Sequence, residues 1–167
     1  MTSEYQKMVA GENYSPQDPE LRALAARSRD FQYRFNQERD IEKRSVIVKE
    51  WFGSTGENFY SNWNLTMLDV CPIHIGDNAL LGPNCQFLTP LHPLDPVERN
   101  SGIEYGAPIK IGDNFWAGGG VTILSGVTLG DNVVVGAGAV VTKSFGDNIV
   151  LAGNPAKIIK EIPVHEE

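Results

Sequence analysis

Cysteine, histidine and long apolar runs are what this chain of 167 residues has least of. Its two cysteines, Cys71 and Cys85, make no disulfide framework and fit a reducing compartment in which small thiols are buried. No uncharged apolar run approaches ~18 residues, and the mean hydropathy is −0.22, so the sequence offers no membrane-spanning helix. The opening MTSEYQKMVAGENY is polar and lacks the apolar stretch of a secretory signal, which makes the cytoplasm the expected location. Positive charge is in deficit: 14 Lys and Arg against 21 Asp and Glu leave a net −7, which argues against broad nucleic-acid binding. Glycine is nearly missing from the first 52 residues, where only Gly11 occurs, although the chain holds 17 in all.

That uneven glycine divides the chain into two regions. Residues 1–53 read as a helical segment, with Asp18-Pro19 supplying an N-cap and a proline at the first helical position. Leu21, Leu24, Ala25, Phe31, Tyr33 and Phe35 follow at broken helical spacing, and a further helix is expected from about Asp40 to Glu50. A lid or an oligomer contact is the plain reading of this segment. Residues 54–163 change character, and 164–167 form a short charged tail.

In the second region apolar residues recur every six: Ile75, Leu81 and Phe87, then Ile111, Ala117, Ile123, Leu129, Val135 and Val141. Glycine follows at Gly76, Gly82, Gly112, Gly118, Gly130 and Gly136. A period of six matches neither helix nor ordinary strand and indicates a repeat architecture. Six residues make one flat face with an aliphatic side chain turned inward, and three faces close a coil of ~18 residues. Asp-Asn pairs at 77–78, 113–114 and 131–132 sit where the corners turn. Ile75 and Ile111 are in phase, so the stretch of about 88–109 is an external loop that leaves the register intact.

The loop contains His92, one of three histidines; His74 is expected in a repeat turn and His165 in the tail, both solvated. An alcohol is a poor nucleophile at neutral pH, and an imidazole, which titrates near neutrality, can take its proton. A loop histidine satisfied by a backbone partner is the competing reading of the same residue.

Several stretches together resemble the hexapeptide-repeat acetyltransferases, most closely the maltose and galactoside O-acetyltransferase group. They are Asn58-Phe-Tyr-Ser-Asn-Trp-Asn, Leu68-Asp-Val-Cys-Pro-Ile, the loop Thr89-Pro-Leu-His-Pro-Leu-Asp-Pro-Val-Glu-Arg-Asn, Ile111-Gly-Asp-Asn-Phe-Trp-Ala-Gly-Gly-Gly, and Gly153-Asn-Pro-Ala-Lys. Lys7-Met-Val-Ala-Gly-Glu-Asn-Tyr and Asp18-Pro-Glu-Leu are similar to the family's N-terminal helical segment, so the likeness covers nearly the whole chain. It implies a mainly β fold, a left-handed parallel β-helix with an N-terminal α-helical segment. It further implies a homotrimer with active sites between subunits, acetyl-CoA as donor, a small sugar or glycoside as acceptor, and no metal.

By the same resemblance His92 is the general base of a direct transfer in a ternary complex, with no covalent enzyme intermediate. Tyr60, Asn62 and Asp69 match acceptor-side positions, and a carboxamide suits hydroxyl recognition through its paired donor and acceptor. Gly119, Ala137, Thr142, Lys143 and Lys157 match CoA-contacting positions, the lysines as point charges for phosphate. Trp116 is a candidate wall of the site or a packed turn residue, and Glu98 and Arg99 are loop or intersubunit contacts.

The chain also departs from the family. A segment of ~18–20 residues, about one coil, is missing between Glu57 and Asn58. Ser15 and Ala25 stand near positions where relatives offer an Asp and an Arg, and Lys157 stands where relatives carry arginine. Two other functions fit: a trimeric scaffold that has lost its acceptor site, and an acetyltransferase for an amine or a non-sugar hydroxyl. A metal-dependent carbonic anhydrase needs three converging histidines, which this placement does not supply.

Overall fold

The computed structural model describes residues 2–51 and 54–164; Phe52, Gly53 and His165 lie outside the described residues. Three helices come first: α1 (Glu4–Ala10), α2 (Pro19–Gln37) and α3 (Ile41–Trp51). Asp18 caps α2 as its residue type requires, accepting from the Glu20 and Leu21 backbone N–H groups. Ser3 and Gln6 form a reciprocal capping box on α1.

Four coils of a left-handed parallel β-helix follow. The first carries β1 (Ser54–Thr55), β2 (Tyr60–Ser61) and β3 (Thr66–Leu68); the second carries β4 (Ile73–Ile75), β5 (Leu80–Leu81) and β6 (Gln86–Leu88). The loop 89–108 holds β7 (Pro90–Leu91), α4 (Pro96–Asn100) and β8 (Tyr105–Gly106). The third coil is β9 (Ile109–Ile111), β10 (Trp116–Ala117) and β11 (Thr122–Leu124), and the fourth is β12 (Thr128–Leu129), β13 (Val133–Val135) and β14 (Val140–Val141). Finally β15 (Ile149–Ala152) extends one face, and β16 (Lys157–Glu161) turns back antiparallel on it.

The strands sort into three faces, β1-β4-β9-β12, β2-β5-β10-β13-β15 and β3-β6-β11-β14, with parallel pairing throughout. Register follows the repeat: Ile75 pairs with Ile111 and Ile111 with Leu129, across the loop as well as within the coils. All nine apolar residues of the six-residue series are buried. The structure adds a second inward row, two residues earlier in each face: Ile73, Ala79, Cys85, Ile109, Phe115, Val121, Val127, Val133 and Ala139. Large and small alternate within a face, as in Phe115 beside Ala117 and Cys85 beside Phe87, which lets a narrow interior fill without voids. Burial pushes the Cys71 and Cys85 thiols up in pKa, so both stay protonated. His74 is a correction: it lies on β4 facing outward, not in a turn.

The corners are built by aspartate and asparagine. Asn58, Asn78, Asn114, Asn132 and Asn148 all have φ between 55 and 57°, a left-handed conformation that asparagine tolerates best among residues with a side chain. Their carboxamides stack, as in Asn78 donating to Asn114 at 3.1 Å. Each aspartate accepts the backbone N–H of the corner one coil earlier, Asp113 from Asp77 at 2.8 Å and Asp131 from Asp113 at 2.8 Å. Close stacking excludes a side chain at Gly118, where a Cβ would stand 2.7 Å from the Ala137 nitrogen.

The first coil obeys the same rules although its opening residues are not a typical repeat. Ser54 and Thr55 pair with His74 and Ile75, and Glu57 donates its backbone N–H to Asp77 at 2.7 Å. Gly56-Glu57-Asn58 thus occupies the corner that Gly76-Asp77-Asn78 makes one coil later, and the chain runs continuously from Glu57 into Asn58. Above this coil the prism end would be open. Phe31, Phe35, Ile47, Val48 and Trp51 of α2 and α3 cover it and share its core. Asn36 donates to the Leu65 carbonyl at 3.0 Å and accepts from the Leu65 N–H at 3.1 Å, while Gln32 accepts from Met67 N–H at 3.0 Å. Arg44 donates to the Asn62 carbonyl at 2.6 Å, its guanidinium 4.3 Å from the Phe35 ring centroid and 4.6 Å from that of Trp63.

Asn36→Ala would leave both backbone groups of fully buried Leu65 without partners. Urea unfolding of that variant is expected to show a loss of about 1–3 kcal/mol. An unchanged midpoint would mean that the helices do not close this end.

Candidate active site

The loop is fixed at its root by two hydroxyls. Thr89, fully buried, donates to the Leu68 carbonyl at 2.7 Å and accepts from Cys71 N–H at 2.9 Å. Ser125 donates to the Thr89 carbonyl at 2.7 Å and accepts from Ala107 N–H at 2.9 Å, so the departing and returning strands are tied to one side chain. Further out, β7 pairs antiparallel with β8. Asp95 caps α4, and Arg99 donates to the carbonyls of Pro93 and Leu94 at 3.1 and 3.0 Å. His92 therefore stands between two braced segments. Arg99 is a loop contact, as its sequence position suggests.

His92 opens on a cavity of about 950 Å³ between this loop, α1, α2 and the first coil. Its side chain is 54% exposed, and Nε2 lies 3.8 Å from Oε1 of Glu104. The other Glu104 oxygen accepts from the Tyr14 hydroxyl at 2.9 Å. Backbone bonds make the connection firmer: Tyr14 N–H donates to the Glu104 carbonyl at 3.0 Å, and Glu104 N–H to that of Tyr14 at 3.3 Å. Burial, first, and then the Glu104 carboxylate raise the Tyr14 pKa far above its ordinary value.

Asp69 reaches the same cavity. It accepts a short hydrogen bond from Ser28 of α2, whose oxygen accepts from the Trp51 indole N–H at 3.0 Å. The cap thus holds both acidic residues that line the cavity, Glu104 through Tyr14 and Asp69 through Ser28. Tyr14, Ser28 and Glu104 have no role in the reading from sequence. Tyr14 and Glu104 are 90 positions apart and neither belongs to a repeat, so no spacing signals their contact.

Other candidates lie elsewhere. Tyr60 is on β2, on a different prism face from the strands that carry the loop, and neither it nor Asn62 lines the His92 cavity. The Asn62 carbonyl is taken by Arg44, and its carboxamide oxygen accepts from Trp63 N–H at 2.8 Å. Tyr60, Leu80, Trp116, Val134 and Val150 stack one above another along the outside of that face. Gly119 and Ala137 sit one coil apart at the corner following it. Thr142 and Lys143 are exposed just after β14, with the Lys143 ammonium 5.4 Å from the Phe145 ring centroid, and exposed Lys157 starts β16. Within one protomer none of these donor-side residues lines the cavity of His92. Among the described residues no group of three or more His, Cys, Asp or Glu converges as metal ligands would.

Comparison with known proteins agrees with this fold. A family model for the maltose acetyltransferase hexapeptide capping motif matches residues 7–56, and one for the bacterial transferase hexapeptide, six repeats long, matches 108–143. A Dictyostelium discoideum protein is 52% identical over 185 aligned positions, covering 99% of this chain and 97% of that one. The solved maltose O-acetyltransferase of Clostridium difficile 630 is similar with a TM-score of 0.83 and 43% identity, over 97% of this chain and 98% of its own. A galactoside acetyltransferase solved in complex with coenzyme A gives 0.86 and 34%, over 98% and 92%.

A helically capped prism of hexapeptides interrupted by an extruded loop is the architecture of a hexapeptide-repeat transferase. The chain belongs to the hexapeptide-repeat acetyltransferases of the maltose and galactoside O-acetyltransferase type, and it is an acyltransferase. The Dictyostelium alignment is 18 positions longer than the 167 residues of this chain, so at least one coil's length of that relative has no counterpart here.

Since the folded state holds the Tyr14 proton more tightly than the unfolded chain, its stabilising contribution is full below about pH 10 and is lost as pH rises through the folded value. Side-by-side alkaline titration of the native protein and Tyr14→Phe, carried to about pH 11, is expected to give equal tyrosinate absorbance. One tyrosine less signal in the variant would show that Tyr14 ionises in the fold and is not locked to Glu104.

Proposed function

We propose that the protein transfers the acetyl group of acetyl-CoA to a hydroxyl of a small sugar or glycoside, with His92 as general base. The observation that carries this reading is the open, loop-borne imidazole that lines a large cavity, with the Glu104 carboxylate 3.8 Å from its Nε2 and Asp69 in the same lining. In the transfer, His92 Nε2 takes the hydroxyl proton as the acceptor oxygen bonds to the thioester carbonyl carbon. The C–S bond breaks, the CoA thiolate leaves, and the imidazolium returns the proton to the sulfur. An acetyl ester and free CoA thiol result, and no enzyme-bound acyl group forms. Asp69, which lines the same cavity, takes an acceptor hydroxyl in this reading.

The solved galactoside acetyltransferase holds coenzyme A, and the sugar names of this relative and of the Clostridium enzyme support the acceptor class. Donor residues Gly119, Ala137, Thr142, Lys143 and Lys157, and acceptor residues Tyr60 and Asn62, lie away from His92 in one protomer. A site shared between the subunits of a homotrimer would bring them together. Among the described residues no helix is long and apolar enough to cross a membrane.

Purified protein supplied with acetyl-CoA and a panel of sugars is expected to release free thiol, and His92→Ala to lower that rate at least ~100-fold with CoA affinity retained. Coenzyme A binding without thiol release from any acceptor would favour the scaffold reading instead.

A further inference from the structure

We propose that Glu104 binds a second hydroxyl of the acceptor, so that the substrate is a diol with its two O–H groups on neighbouring or next-neighbouring carbons. This rests on the acetyltransferase reading of His92 and names the acceptor chemistry of that same site. The Tyr14 hydroxyl occupies Oε2 of Glu104 at 2.9 Å, and the reciprocal backbone bonds of Tyr14 and Glu104 hold the residue in place. Oε1 accepts no hydrogen bond from a described residue and lies 3.8 Å from His92 Nε2.

That separation exceeds a hydrogen bond, which for such groups is about 2.7–3.2 Å. A general base must present an unprotonated nitrogen to its substrate. Nε2 and Oε1 are then two acceptors facing one another with no proton between them. A carboxylate oxygen and an imidazole lone pair so arranged call for a ligand that brings two donors. A single hydroxyl has one hydrogen and satisfies one of them. A diol satisfies both: the hydroxyl on Nε2 is the one acetylated, and its neighbour donates to Oε1 without reacting. Glu104 is 24% exposed and lines the cavity, so a ligand in that space can reach it. The binding step moves no proton to Glu104, and the chemistry at His92 balances as before.

The experiment compares a methyl glycoside acceptor with its monodeoxy analogues lacking one hydroxyl near the acetylated oxygen, the acetylated position being read from the product by NMR. In the native enzyme one deoxy analogue is expected to lose ~10–100-fold in kcat/KM, as the loss of a hydrogen bond to a charged group does. Glu104→Ala is expected to lower the rate on the parent glycoside to the level of that analogue, and to leave the analogue itself within ~3-fold. Calorimetric CoA affinity of the variant should match the native value, which shows it folded.

A native enzyme indifferent to every neighbouring hydroxyl overturns the proposal. So does a Glu104→Ala variant that loses equally on parent and analogue, because the carboxylate would then be acting on His92 and not on substrate. Acetylation of a simple amine with no dependence on a second hydroxyl also overturns it, since one nitrogen can offer both hydrogens. Absence of turnover with all acceptors, with CoA bound, overturns the acetyltransferase reading and this inference with it.

Discussion

A stack of parallel coils has two open ends, and closing them is the constraint on which this structure depends. Each interior coil takes backbone hydrogen bonds from its neighbours on both sides and covers their apolar residues. The first coil has a neighbour on one side alone, so its outer N–H and C=O groups and its core would face water. Asn36, Gln32 and Arg44 supply to Leu65, Met67 and Asn62 what a preceding coil would have supplied, and five apolar residues of α2 and α3 seal the interior. At the other end β16 folds back on β15. The helices are therefore no appendage. They are the terminal repeat, built from different material.

The cap also reaches the chemistry. Tyr14, in the segment between α1 and α2, grips Glu104 at the return of the loop, and Ser28 of α2 holds Asp69. Cys71 donates its thiol hydrogen to the Met8 carbonyl at 3.1 Å, which fastens α1 to the strand end beside the loop root. The N-terminal segment that closes the prism thus also holds the polar groups around His92. A change in how the helices sit on the first coil would be felt at the cavity without touching the loop.

Much of the fold is legible in the sequence because a solenoid writes its geometry locally. The six-residue series from Ile75 to Val141 fixes faces, register and inward direction, and Asp-Asn pairs mark corners whose φ values bear them out. The second inward row is harder to see, since Ala79, Cys85 and Ala139 carry little hydrophobic signal beside their larger neighbours. His74 looks like a turn residue because it is polar next to a corner, yet strand alternation simply turns it outward. The candidate site is legible only in part. His92 stands out as the histidine of the one register-keeping loop, while Tyr14 and Ser28 act through contacts between distant segments that no periodicity encodes. Tyr60 and the donor-side residues are set by resemblance, and the prism distributes them over other faces and corners.

The corner at Gly56-Glu57-Asn58 has a consequence for how such molecules can vary in length. Its carboxamide and N–H groups meet those of the next corner as any two interior corners meet, although its sequence is not a full repeat. The helical cap, for its part, hydrogen-bonds main-chain groups at Leu65, Met67 and Asn62 and shares one apolar core with the Leu65 and Met67 side chains. The corners work like a standard thread, each turn meeting the next through the same groups. Whole turns can therefore be added or removed at such corners, but each step would carry the helical cap along the axis, away from the loop, and cost it the contacts of Tyr14 with Glu104 and of Ser28 with Asp69.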